Sequence, residues 1–146
     1  ALVLRLESLV RAPGVQLQDA VSLEHVLPQT PPDSSDWIKW FPDEDERDGW
    51  THRLANLVPL DRNKNSSASN YDFAKKKDAY FRGKGTASPF VLTQEVRSEN
   101  TWTPAMLIER QNRLVGVLKK HWALEVSPID SVSTAADATT ATQGQV

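Results

Sequence analysis

Apolar positions recur at helical spacing near both ends of the chain and gather into short runs between them. Leu2, Leu6, Leu9 and Val10 share a helical face. Leu2, Leu4 and Leu6 would also suit a strand, and the helical reading is preferred. Pro13-Gly14 marks a turn. Residues 21–27 are few, include β-branched side chains and run into Pro28, which predicts a strand. A loop follows over 30–35. Short helices are predicted over 36–41 and 43–53, with Trp37, Trp40 and Trp50 packing inward. Residues 57–60 form a second short apolar run, and Pro59 inside it predicts an edge strand or one that soon ends. The polar, Asn/Ser-rich stretch 61–69 reads as one or two helical turns. Asp72 is placed to cap a helix reaching about Phe81, and residues 82–88 form a glycine-containing loop. Thr103-Pro104 is a strong helix start, a capping hydroxyl followed by proline at the first helical position. From there Leu107, Leu114, Leu118 and Trp122 mark one face of a helix over 104–122. Residues 127–146 are mostly Ser, Thr, Ala, Asp and Gln with little to bury, so a disordered tail is expected.

A chain of 146 residues is sized for one domain. The expected division is a folded unit over 1–126 and the tail beyond it. The absence of cysteine excludes disulfides, Fe–S clusters and Cys-type structural zinc. No apolar run approaches the ~18 residues of a membrane span, and no basic segment leads into an apolar one as in a signal peptide. The first residue is Ala1 and not Met, and the expectation is a fragment or a processed product, the C-terminal part of something longer. The formal net charge of −2 argues against a general nucleic-acid binder. The charge is unevenly spread, however. Between Asp33 and Asp48 seven acids face two bases, and between Asp61 and Lys84 seven bases face three acids. A basic patch on a mildly acidic protein can still meet a polyanion.

The candidate chemistry centres on histidine, whose neutral imidazole is within reach at physiological pH. His25 directly follows Glu24 and precedes Pro28 at the end of the first predicted strand. Strand neighbours point to opposite faces, so a twist or bulge near Pro28 would be needed to turn both toward one site. There the carboxylate could hold a metal while the imidazole takes a proton from water. Downstream, Asn56 and Asn65 are nine apart, the span of a short strand plus one helical turn. Asn65 would then lie on a helix crossing the hairpin, with an amide oxygen suited to Mg²⁺ beside Glu24. Asn65 is preferred to Asn63 on spacing.

The ordered set Glu24-His25-Val26-Leu27-Pro28-Gln29, Asn56-Leu57 and Asn65 resembles the HNH, or His-Me finger, nuclease motif. The HNH domain of RNA-guided DNA nucleases has a similar start. A closer resemblance is to the C-terminal domain of GmrSD-type restriction endonucleases, modification-dependent (type IV) enzymes of bacterial defence. Its later parts are matched by Asn65-Ser66, Ser69-Asn70, Phe73 and Lys76, then Arg110 and Trp122. The resemblance covers about residues 22–122. It implies an α+β, mostly helical fold with a ββα-metal core over about 21–82. It implies His25 as general base, Glu24 and Asn65 as ligands of one Mg²⁺ or Mn²⁺ ion, and Asn56 as the residue that ties the hairpin to backbone groups and fixes His25. It further implies DNA as substrate and an N-terminal NTP-binding sensor domain in the parent protein. Three departures from the family pattern stand out: Ala55 replaces the usual glycine, Pro59 interrupts the second strand, and 30 residues separate His25 from Asn56.

Other residues receive plainer roles. Lys64, Lys75, Lys76 and Lys77 are candidate phosphate contacts. His52 is read as structural in preference to a phosphate contact or backup base. His121, in the last helical turn, is placed where a cation is mildly favourable. Arg82-Gly83-Lys84-Gly85 lacks the pattern of a phosphate-binding loop. Three functions compete: a metal-dependent DNA endonuclease domain, an inactive module of the same fold that binds DNA or another partner, and a stand-alone non-specific nuclease.

Overall fold

Two strands far apart in sequence pair to form the only sheet among the described residues. A computed structural model of the chain describes residues 2–14, 21–61, 70–82 and 88–123. Strand β1 (Val21–His25) runs antiparallel to β2 (Leu57–Asp61), in unbroken register from Val21 opposite Asp61 to His25 opposite Leu57. The ladder therefore contains no bulge. The second strand continues through Pro59 to Asp61. Both strands of a two-stranded sheet are edges, so the missing proline N–H is tolerated, and the Pro59 carbonyl accepts from the Thr93 hydroxyl.

Among the described residues six α-helices surround the sheet: α1 (Leu2–Val10), α2 (Asp36–Trp40), α3 (Glu44–Thr51), α4 (Phe73–Arg82), α5 (Val91–Ser98) and α6 (Pro104–Trp122). A 3₁₀ turn, Leu54–Asn56, leads directly into β2. The fold is α+β and mostly helical, as expected. The predicted helical turns at 61–69, the 82–88 loop and the tail lie largely outside the described residues, as do Asn63, Lys64 and Asn65.

Local chemistry accounts for the helix starts. The Asp43 carboxylate accepts the Glu46 N–H at 2.7 Å, and Glu44, Asp45 and Glu46 occupy the first turn of α3. Acids there complement the positive end of the helix, so part of the acidic run is a helix start. The Thr103 hydroxyl accepts the Met106 N–H and Pro104 opens α6. Lys119, Lys120 and His121 fill its last turn, and Ala123 ends it in a left-handed conformation (φ 50°). Helix α5 has no side-chain cap of its own. Its cap comes from α1: Glu7 Oε1 accepts the Val91 N–H at 2.7 Å and Oε2 the Leu92 N–H at 3.0 Å. Glu7 is fully buried and also pairs with Arg11 at 3.2 Å.

The core joins the sheet to the helices through Val58, Leu60, Leu6, Leu92, Val96, Leu107, Leu114 and an aromatic cluster. In that cluster the Trp37 and Phe73 rings lie 5.7 Å apart, and the Phe73 and Trp102 rings 5.6 Å apart. Trp37 and Trp50 are buried and Trp40 packs against the core, as expected. Leu107, Leu114 and Leu118 form the buried face of α6, but Trp122 is 47% exposed and does not extend it. The buried aromatic beside this helix is instead Trp102, two residues before its start.

Candidate active site

Asn56 is fully buried at the mouth of β2, where every polar atom of its side chain is used. Its Oδ1 accepts the Leu27 N–H at 2.7 Å and the Trp102 indole N–H at 3.0 Å. Its Nδ2 donates to the Leu27 carbonyl at 3.0 Å and the Thr51 carbonyl at 2.9 Å. The Asn56 carbonyl also accepts the Val26 N–H at 3.0 Å. One amide group thus ties the chain after His25 to the end of α3 and to the segment before α6. Alanine in its place would strand several buried polar groups, each costing about 1–3 kcal/mol.

Helix α6 braces the same turn. Arg110 Nε donates to the Ala55 carbonyl at 3.1 Å and Nη2 to the Leu92 carbonyl at 3.2 Å, while Nη1 pairs with Glu95. Gln111 Oε1 accepts the Ala55 N–H at 2.8 Å. Ala55 is fully buried, with both its backbone groups engaged.

With that frame fixed, β1 ends in Glu24 and His25. Glu24 turns inward and is 5% exposed, next to Leu23 at 43%. Its Oε1 accepts from Lys76 Nζ at 2.6 Å and from the Tyr80 hydroxyl at 3.0 Å, both on α4. Lys76 Nζ also donates to the His25 carbonyl at 2.6 Å. Burial raises the Glu24 pKa, against the pull of Lys76, and burial lowers that of Lys76, against the pull of Glu24. The pair is held by geometry in a place that penalises both charges.

His25 is half-buried. Its Nε2 lies 3.3 Å from His52 Nδ1, and the two rings meet edge to face with centroids 5.2 Å apart. Burial first, then the neighbouring His52 and Lys76, push the His25 pKa below the usual histidine value. A neutral imidazole is the form a general base requires.

Glu24 and His25 line one cavity of about 140 Å³ with Pro28, Gln29, Thr30, Asn70 and Lys76. The register is regular through His25, so no bulge within the ladder itself turns them there. The Asn70 amide donates to the Thr30 hydroxyl at 3.3 Å. The lining offers oxygen donors from a carboxylate, amides and a hydroxyl, the type suited to Mg²⁺ or Mn²⁺. Among the described residues no group of three or more His, Asp or Glu could hold a metal ion, and Glu24 is the one acid among those that line the cavity. Asn65, its expected partner, lies outside the described residues. A larger groove of about 370 Å³ is lined by Glu95, Glu99, Glu109, Arg110 and Arg113 among others. It lacks a histidine, and its Glu95 is tied to Arg110 and Arg113.

The lysine run divides by burial. Lys75 is exposed, its ammonium 3.7 Å from the centre of the Tyr71 ring. Lys77 is half-buried and donates to the Glu99 carbonyl at 2.6 Å. Lys76 is 1% exposed, which corrects its reading as a phosphate contact: its ammonium is committed to Glu24 and the His25 carbonyl. Helical neighbours in a triple-lysine run face different directions, so the run alone could not assign the inward one. Trp102 and the pairing of His52 with His25 carry no signal in the spacing. The recurrence of Phe73, Lys76 and Tyr80 at helical intervals is the pattern that marks the inward face of α4.

A family match places this mostly helical α+β domain among restriction-endonuclease-related domains. The family model for the C-terminal domain of GmrSD restriction endonucleases matches residues 2–117, from α1 into the last turns of α6. The chain belongs to that family. A comparison with curated protein sequences gives no match.

Proposed function

We propose that this domain is a metal-dependent DNA endonuclease of the HNH type, with β1 and β2 as the hairpin of its ββα-metal core. The observation that carries the reading is the junction of Glu24 and His25 at one cavity, under a strand end held by Asn56. His25 is the general base: its imidazole takes a proton from water as the water oxygen attacks phosphorus. The bond to the 3′ oxygen breaks and that oxygen takes a proton from solvent, leaving a 5′-phosphate and a 3′-hydroxyl. Asn56 does not touch the reacting atoms but holds the backbone that carries His25. Glu24 and Asn65 would hold one Mg²⁺ or Mn²⁺ ion, which when bound stabilises charge on the phosphate and the leaving oxygen. Lys76 already sits on one Glu24 oxygen, so a second cation shares that carboxylate with it. Lys75, and Lys64 and Lys77 with it, are the residues offered to the DNA backbone.

Membership of a restriction-endonuclease family fits our reading of a modification-dependent restriction system of the bacterial cytoplasm, in which an N-terminal NTP-binding sensor domain would select the target. No described helix is long and apolar enough to cross a membrane. A net charge of −2 leaves the domain dependent on such tethering for DNA affinity.

The test is plasmid nicking in Mg²⁺ or Mn²⁺, with wild type, His25→Ala and an EDTA control. Nicking should require metal and fall at least about 100-fold in His25→Ala. Metal-dependent nicking that persists in His25→Ala rejects His25 as the base. Absence of nicking by the wild type, even in the full-length protein with modified DNA, favours the inactive-module reading.

A further inference from the structure

His52 is the unassigned group nearest to the candidate base. It is exposed just beyond α3, in the 30-residue segment that separates His25 from Asn56. Its Nδ1 faces His25 Nε2 at 3.3 Å, with the two ring planes perpendicular. The contact is braced from both sides by one residue. Asn56 binds the backbone of Leu27, two residues after His25, and the carbonyl of Thr51, one residue before His52. The α3 end is further fixed by the buried Trp50 and by the Thr51 hydroxyl donating to the Arg47 carbonyl at 2.9 Å.

Two neutral imidazoles facing each other share one hydrogen. If His52 Nδ1 carries it, His25 accepts through Nε2 and its own hydrogen sits on Nδ1, leaving no lone pair for water. If His25 Nε2 carries it, His52 Nδ1 accepts and His25 Nδ1 keeps its lone pair. Only the second arrangement leaves a base. The hydrogen bond at one ring nitrogen sets the state of the other, and a base oriented by a third group is a recurrent catalytic arrangement.

We infer that His52 is a positioning residue that holds His25 as the Nε2–H tautomer and so makes Nδ1 the nitrogen that takes the proton from water. This rests on the reading of His25 as general base. It gives the 30-residue segment a task, since that segment delivers the orienting imidazole to the strand end.

The experiment pairs a spectroscopic and a kinetic readout on the 146-residue chain. Nitrogen-15 spectra of histidine-labelled protein report which ring nitrogen of His25 carries hydrogen, whether or not the chain nicks DNA. The wild type should show Nε2–H at His25, and His52→Ala should give a mixture of tautomers. His52→Ala should lower the nicking kcat about 10- to 100-fold, the size of effect typical for lost orienting partners, with KM for DNA unchanged. His52→Asn places an amide oxygen near the former Nδ1 and should recover most of the tautomer bias and the rate. An Nδ1–H tautomer in the wild type overturns the inference. So does a His52→Ala protein whose tautomer and kcat equal those of the wild type. Nicking that survives His25→Ala would instead sink the base assignment, and the tautomer spectra distinguish the two failures.

Discussion

The indole N–H of Trp102 donates to Asn56 Oδ1, the same oxygen that receives the Leu27 N–H. A residue just before the last helix thereby helps set the chain that leaves His25. Trp102→Phe keeps most of the ring volume but removes one donor. It should lower unfolding free energy by about 0.5–1.5 kcal/mol, more than an exposed Trp122→Phe does. Asn56→Ala should cost at least about 3 kcal/mol, since it also strands the Leu27 and Thr51 groups. Urea unfolding measures both.

The buried ion pair makes an asymmetric prediction. Lys76→Met leaves the Glu24 carboxylate buried without its cation and should destabilise by about 3–5 kcal/mol. Adding Glu24→Gln removes the orphaned charge and should recover most of that loss. A double variant no more stable than Lys76→Met would show that the lysine contributes by packing and not by charge.

The depressed pKa of His25 has consequences for both activity and stability. On the activity side, the base stays neutral to lower pH, so the acid limb of the nicking profile should fall below the ordinary histidine value of about 6.5. On the stability side, the folded-state pKa lies below the unfolded one. The contribution is therefore present above about pH 6.5 and lost as pH falls through the folded pKa. Unfolding curves from pH 8 to 5 should slope less steeply in His25→Asn than in the wild type.

Glu7 caps a helix that follows it by more than eighty residues. Glu7→Ala should cost about 1.5–3 kcal/mol, the range for a hydrogen bond to a charged group. Hydrogen exchange at the Val91 and Leu92 amides should accelerate more than exchange in α6. Equal acceleration everywhere would mean that the carboxylate supports the whole fold and not α5 in particular.

Lys75 and Lys76 should separate in a salt titration of DNA binding. Lys75→Ala should reduce the slope of log Kobs against log salt by about 1, as for one lost phosphate contact. Lys76→Gln should leave that slope unchanged, because its ammonium faces Glu24.

Much of this architecture is readable from local signals. Thr103-Pro104 starts α6 where capping chemistry says it should, and the two short apolar runs become β1 and β2. Helix α5 was not legible as an element because its cap resides in α1, and a tertiary cap leaves no mark at the helix's own first residues. At the site, Glu24, His25 and Asn56 stand out by order and spacing. His52 and Trp102 do not, because their roles arise only when α3 and the segment before α6 converge on the strand end. Pro59 pointed to an edge strand or one that soon ends, and β2 is an edge of a two-stranded sheet, with the Pro59 carbonyl accepting from the Thr93 hydroxyl.

The interrupted hairpin also governs when the site comes into being. His25 pairs with Leu57 across a connection that contains two helices. Closing so long a loop costs about 2 kcal/mol more entropy than closing a tight turn, and such distant contacts form slowly. The bracing is later still, since Trp102 and Arg110 must join after the hairpin is made. A nascent chain on the ribosome therefore carries His25 long before anything holds it, and the assembled centre appears only when the last helix docks.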